Sequence, residues 1–177
     1  MAISSVIKAC GNGQVPGVKQ RVYFVPKGDI TTFATGNVTT AYGDTKVFNQ
    51  DFTLDTGKKW LELDILIATG DVVDTIQGEV GGQYVRNAFV FFVPDYNKEQ
   101  RMLVDDMIAN SGCLIFLVPG KDGKVSVVGN LENPCYVEQL TGGVGGAETN
   151  RTGIAMRVYA DTGYSCPIYT GTIDLTA

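Results

Sequence analysis

The sequence predicts a mainly β protein, a β-sandwich or small barrel with a single flanking α-helix. Three observations lead there. Short apolar-alternating segments recur along the chain, separated by Gly, Asn, Asp and Pro turn signals. Only one stretch, Asn97 to Ser111, has helical spacing. Twenty-two glycines and only 19% charged residues, with many Thr, Val, Tyr and Phe, favour strands and turns over helices. At 177 residues the chain fits one domain spanning 1–177, long enough to bury a core without metals or disulfides.

Taken in order, residues 1–19 are poor in pattern and rich in Gly and Pro, which predicts an irregular N-terminal arm that orders against a neighbour. Gln20 to Val25 alternates as a strand and stops at Pro26-Lys27-Gly28-Asp29; Ile30 to Ala34 follows as a second short strand, both at the edge of a sheet. Thr35 to Asp44 is rich in Thr and Gly and leads to a strand-like Lys46 to Leu54, so residues 30–55 read as one long projecting hairpin. Lys59 to Ile67 and Asp71 to Val80 are the clearest alternating pair, joined by Ala68-Thr69-Gly70. Their core face is Leu61, Leu63, Ile65 and Ile67 with Val72, Ile76 and Val80; the opposite face, with Trp60, Glu62, Asp64, Gln77 and Glu79, reads as an acidic, solvated wall.

The centre of the chain changes periodicity twice. Gln83 to Val93 is a strand apolar on both faces in its second half, which places it inside a core. Pro94 and Asp95 end it. The helix that follows carries Leu103, Val104, Met107 and Ile108 on one side, with Leu103, Met107 and Ile108 as expected anchors. Asn97 is the expected N-cap, Gln100 stands at the capping-box position, and Gly112 ends the helix. Cys113 to Val118 and Lys124 to Val128 then form a hairpin around Gly120-Lys121-Asp122-Gly123. Cys135 to Leu140, Ile154 to Tyr159 and Pro167 to Leu175 supply the last strands, for a total of about nine to eleven.

Chemistry is hard to place on this chain. With no histidine, the Ser-His-Asp and Cys-His arrangements and the common zinc sites are excluded. Glu62, Asp64 and Glu79 read better as a wet strand face than as a glycosidase pair, and Asp105 and Asp106 diverge too far around a helix to share an ion. Gly57-Lys58 and Gly11-x-Gly13 lack the rest of a phosphate-binding loop. No catalytic residue, metal or cofactor is expected. Cys10, Cys113, Cys135 and Cys166 form no C-x-x-C pair and are expected as free thiols. A net charge of −5 argues against tight phosphate binding. Met1 to Cys10 carries Lys8 and no signal-type apolar run, so synthesis in a cytoplasm is expected, and no stretch is apolar enough to span a membrane.

The order of elements resembles that of major tail tube proteins of tailed bacteriophages. The resemblance rests on Gly17-Val18-Lys19-Gln20-Arg21-Val22-Tyr23-Phe24, on the strand, helix and hairpin from Gln83 to Val128, and on Thr152-Gly153-Ile154-Ala155-Met156-Arg157-Val158-Tyr159 through Tyr169-Thr170-Gly171. It is one of layout over most of the chain. It implies a hexameric ring whose inner strands join into a continuous barrel, with rings stacked into a hollow tube for DNA delivery. The implied partners are further copies of itself, the tape-measure, tail-tip and terminator proteins, and DNA in transit without specific binding. The implied location is the virion tail, assembled in the host bacterial cytoplasm. In that frame Glu62, Asp64, Gln77 and Glu79 are the lumen-facing candidates, and Thr35, Asn37, Thr39 and Tyr42 on the hairpin tip are the ring-stacking candidates. A tail terminator, a head-to-tail connector, a secretion-system tube protein and a β-sandwich binding module are the alternatives.

Overall fold

The computed structural model describes residues 17–34, 47–95, 97–143 and 152–175. The chain is mainly β with one α-helix among these residues, and none of its sheets closes into a barrel. The ring-stacking candidates Thr35, Asn37, Thr39 and Tyr42, and the N-terminal arm up to residue 16, lie outside the described residues.

Strand β1 (Arg21–Pro26) leads through a 3-10 turn (Lys27–Asp29) into β2 (Ile30–Thr32), followed by the two-residue strands β3 (Val47–Phe48) and β4 (Thr53–Leu54). Then come β5 (Leu61–Asp64), β6 (Asp71–Gln77), β7 (Tyr84–Pro94), helix α1 (Lys98–Ala109), β8 (Leu114–Pro119), β9 (Val125–Val128), β10 (Tyr136–Gly143), β11 (Gly153–Thr162) and β12 (Ile168–Tyr169). A six-stranded sheet has the order β3-β12-β9-β8-β1-β5, a four-stranded sheet β10-β11-β7-β6, and β2 pairs with β4 alone.

Two cores result. Between the large sheets lie Val22, Phe24, Leu63, Leu114, Phe116, Val118 and Val128 from one side, and Phe89, Phe91, Val93, Ile154, Met156, Val158 and Ala160 from the other. Alternation along β1 and β8 sends Val25, Ile115 and Leu117 to the opposite face. There the β2–β4 ribbon and its flanks cover them with Ile30, Ala34, Phe52, Trp60 and Tyr169. β8, at the middle of the six-stranded sheet, is therefore buried on both faces, which is why it is apolar at every position. Phe52 links this second core, with ring centroids 5.2 Å from Trp60 and 5.0 Å from both Phe33 and Tyr169.

Several expectations are corrected by this topology. The segments Lys59 to Ile67 and Asp71 to Val80 do not form a hairpin: β5 pairs with β1, Arg21 opposite Asp64, whereas β6 pairs with β7, Asp71 opposite Val90. The crossing takes one residue. Ile65 N–H still donates to Gln20 of the first sheet at 2.8 Å, and Leu66 N–H donates to Phe92 of the second, also at 2.8 Å. Gly70 is required there, because a Cβ would lie 2.7 Å from the Ile65 side chain and 2.8 Å from that of Val18. Leu63 and Ile65 are buried as expected, but Leu61, Ile67, Ile76 and Val80 are exposed, and Trp60, expected on the wet face, is buried. β1 is an interior strand rather than an edge. The expected hairpin over 30–55 is only partly one: Ile30 pairs with Leu54 at its base, but β3 leaves it to join β12 in parallel.

Helix α1 forms where the periodicity placed it. The Asn97 side chain accepts from the N–H groups of Glu99 (3.0 Å) and Gln100 (3.3 Å), which is the N-cap. Gln100 does not complete a capping box, since its buried side-chain oxygen finds no hydrogen-bond partner among the described residues. At about 100° per residue, Met107 falls between Leu103 and Val104, and Ile108 lies about 90° away from that centre. Accordingly Val104 and Met107 are buried, Leu103 packs against the core, and the anchor assigned to Ile108 is wrong: that side chain is half exposed. Met107→Ala is expected to cost about 2 to 5 kcal/mol in urea denaturation and Ile108→Ala less than about 1 kcal/mol. Equal costs would place the helix axis differently from the structure.

Candidate assembly surface

Among the described residues the six-stranded sheet is covered on both faces around β8 but exposes Arg21, Glu62 and Asp64 at its β1–β5 end, and a second, larger uncovered sheet face is the outer face of the four-stranded sheet. Register assigns its side chains: Asp71, Val73, Thr75 and Gln77 on β6, Arg86, Ala88, Val90 and Phe92 on β7, and Ala155, Arg157, Tyr159 and Asp161 on β11. A bulge between Val137 and Gln139 breaks the alternation of β10. It turns Glu138 toward both arginines.

The charges on this face are tied to one another. Arg86 donates twice to Asp161, at 2.8 and 2.9 Å, and stands 3.8 Å from Glu138. Its guanidinium lies over the Tyr159 ring at 4.2 Å. The two-pronged bond to Asp161 raises the Arg86 pKa further, so this cation is permanent. Arg157 reaches Glu138 at 3.0 Å, at an angle that makes the contact an ion pair rather than a hydrogen bond. The Tyr136 ring lies tilted beside that of Tyr159, with centroids 5.8 Å apart. With Asp71 added, three carboxylates face two paired guanidiniums, so the face offers weak negative charge and no unpaired Arg or Lys among its described residues.

Of the four lumen-facing candidates only Gln77 lies on this face. Glu62 and Asp64 sit on β5 of the other sheet, where Arg21 pairs with both and offsets one of their two charges: its Nε is 2.8 Å from Asp64 and its Nη1 3.2 Å from Glu62. Gln77 lies on the four-stranded sheet, opposite Tyr84, and Glu79 is in the turn beyond it. The hydrogen bond from Arg21 holds the Asp64 carboxyl below its ordinary pKa. A lowered folded-state pKa means that this stabilisation is present above the ordinary carboxylate range and disappears as pH falls through the lowered value. Thermal midpoints of wild type and Arg21→Gln are thus expected to differ slightly at neutral pH and to converge on acidification; a gap that persists in acid would assign Arg21 a packing role instead.

Among the described residues the edges of the four-stranded sheet are unpaired. No described strand pairs with the outer side of β6 or of β10. At the inner side of the same sheet's end, a polar cluster seals the core. Asn87 donates to Asp74 at 2.7 Å and accepts from the Thr162 hydroxyl at 2.5 Å, and Cys166 N–H donates to the other Asp74 oxygen at 3.1 Å. Cys113, Cys135 and Cys166 are free thiols; burial pushes the pKa of Cys135 and Cys166 up, so neither is poised as a nucleophile. No group of His, Cys, Asp and Glu among the described residues is arranged to hold a metal. No helix of the described chain is long and apolar enough to cross a membrane.

Comparison of the chain with protein-family models, with curated proteins and with solved structures finds no match.

Sequence reasoning missed the ionic face for a definite reason. Arg86, Glu138, Arg157 and Asp161 come from three strands, and their meeting depends on strand order. The available signal was the alternation of charged with apolar residues in β7 and β11, which marks a wet face without saying what it meets.

Proposed function

We propose that this chain is a structural ring-forming subunit, a major tail tube protein of a bacteriophage, that stacks as hexameric rings into a hollow tube for DNA passage. The observation that carries the reading is a four-stranded antiparallel sheet, buried on one face, whose edges β6 and β10 pair with no other strand among the described residues. Open edges of this length invite other strands, and a solitary domain would ordinarily cover or blunt them. Pairing β6 of one copy with β10 of the next removes both edges by a head-to-tail contact, and such a contact closes into a ring when its rotation fits the circle. The six copies come from the resemblance in layout.

The uncovered face then lines the channel. DNA is gripped by unpaired cations that displace its counterions, and here Arg86 and Arg157 are already committed to Asp161 and Glu138. A channel lined this way passes a polyanion without holding it. The chemistry of the lining also assigns the lumen to Asp71, Gln77, Glu138 and Asp161 in place of Glu62 and Asp64.

Negative-stain electron microscopy of the purified chain at high concentration and moderate salt tests the reading. Rings of six or hollow tubes are expected. A species that stays monomeric at every salt and concentration, with or without a tail-tip template, would refute it; rings of twelve, or rings that never stack, would move the assignment to a connector or terminator.

A further inference from the structure

The edge strand β6 is held unevenly along its length. Val72, near its start, packs against the core between the two large sheets. Ile76 points to the same inner side and is 70% exposed, because that core does not extend beneath it. The far half of the strand therefore has its ladder to β7 and little apolar burial to keep it in place, the condition under which an edge strand frays.

Asp74 stands where packing gives out, and polar contacts take over there. Its carboxylate accepts from the side chain of Asn87, directly across the ladder, at 2.7 Å and from the N–H of Cys166 at 3.1 Å. Asn87 is 1% exposed, and its amide is fully engaged: the nitrogen also donates to the Tyr164 carbonyl at 3.2 Å, and the oxygen accepts from the Thr162 hydroxyl at 2.5 Å. Cys166 leads into β12, so one carboxylate ties the edge strand both to β7 and to the entry of the other sheet. Without that carboxylate, an N–H of a buried amide loses its acceptor, and a buried donor left unpaired carries its full desolvation cost.

We infer that Asp74, Asn87 and Thr162 form a latch that fixes the far half of β6 in its ladder, with Asp74 and Asn87 as positioning residues for the pairing of this edge with a second copy. This rests on the ring reading and extends it: the strand that receives the neighbour is set in advance by polar contacts within its own subunit. A formed edge presents its free N–H and C=O groups at strand spacing. A frayed edge has to be ordered by the neighbour, and the apparent affinity falls with the fraction of chains in which the edge is formed.

The test measures two quantities on the full-length chain: amide hydrogen exchange in the dispersed state, and the lowest concentration at which electron microscopy shows rings. Asp74→Ala is expected to strip protection from the amides among Thr75, Ile76 and Gln77 that bond to β7, while those of β10 exchange as in wild type, and to raise the ring-forming concentration about tenfold or more. Met107→Ala, which removes packing under α1, is the comparison, expected to lower the unfolding midpoint with neither effect. Asp74→Asn keeps one acceptor oxygen and should fall between wild type and Asp74→Ala; it carries the test should Asp74→Ala not fold. Protection of β6 that survives these substitutions overturns the inference, as does a freed β6 with rings forming at the wild-type concentration, and both results leave the ring reading standing. Wild-type chain that forms no rings overturns both.

Discussion

Phe116→Ala is expected to lower the free energy of unfolding by about 3 to 5 kcal/mol, a large share of the 5 to 15 kcal/mol typical of a domain. Phe116 is fully buried at the middle of β8, on the face that meets the four-stranded sheet. Its ring lies 5.7 Å from Phe24 in a stacked arrangement, 6.0 Å from Phe89 and 6.3 Å from Phe91. Truncation removes contacts to both sheets at once and leaves a cavity that neither can fill without shifting its neighbour. Urea denaturation of the dispersed chain measures it, with a lower midpoint and an unchanged slope. Val90→Ala, on the outer face of β7, is the control and should cost less than about 1 kcal/mol. Comparable losses at both positions would mean that the outer face is packed within the subunit.

Gly153→Ala is expected to be as damaging, by about 3 kcal/mol or more, although it adds a single methyl group. Gly153 opens β11 opposite Pro94 with φ +155°. A Cβ there would overlap the Val93 carbonyl oxygen and the Phe92 ring, and the Val93 backbone is held in the ladder between β7 and β11. Since backbone cannot step aside, the start of β11 has to separate from β7. Gly163→Ala, with nothing within 4 Å of its added methyl, should be close to neutral by the same thermal measurement. If Gly153→Ala leaves the midpoint unchanged, the close approach of β7 and β11 at this corner is wrong.

The sequence made local units legible and left their partners open. Helix α1, its Asn97 cap, its stop at Gly112 and the β8–β9 hairpin all depend on residues within a few positions of one another, and each was readable from spacing and turn chemistry. The pairing of β5 and β6 was not. Ala68-Thr69-Gly70 looks like a hairpin turn because it separates two alternating runs, but alternation reports only that one side of a strand is apolar. Whether Leu61 to Asp64 adds to β1 or to β6 is decided by Gln20 and Phe92, more than 20 residues away in opposite directions. Ile76 and Val80 show the same limit from the other side: they continue the apolar phase of Val72 but extend past the sheet that would have covered them. Alternation put Trp60 on the wet face, and its burial in the second core needed the β2–β4 ribbon, which alternation alone does not position.

In the proposed ring, the four-stranded sheet is completed by its own copies through β6 and β10. Amide hydrogen exchange, followed as the chain is taken from dilute to assembling concentrations, addresses those edges directly. Slowed exchange is predicted in Asp71–Gln77 and Tyr136–Gly143 as assembly proceeds, with the interior strands β7 and β8 protected throughout and the β3 edge of the other sheet unchanged. Assembled material in which β6 and β10 exchange as fast as in the dispersed chain would contradict it.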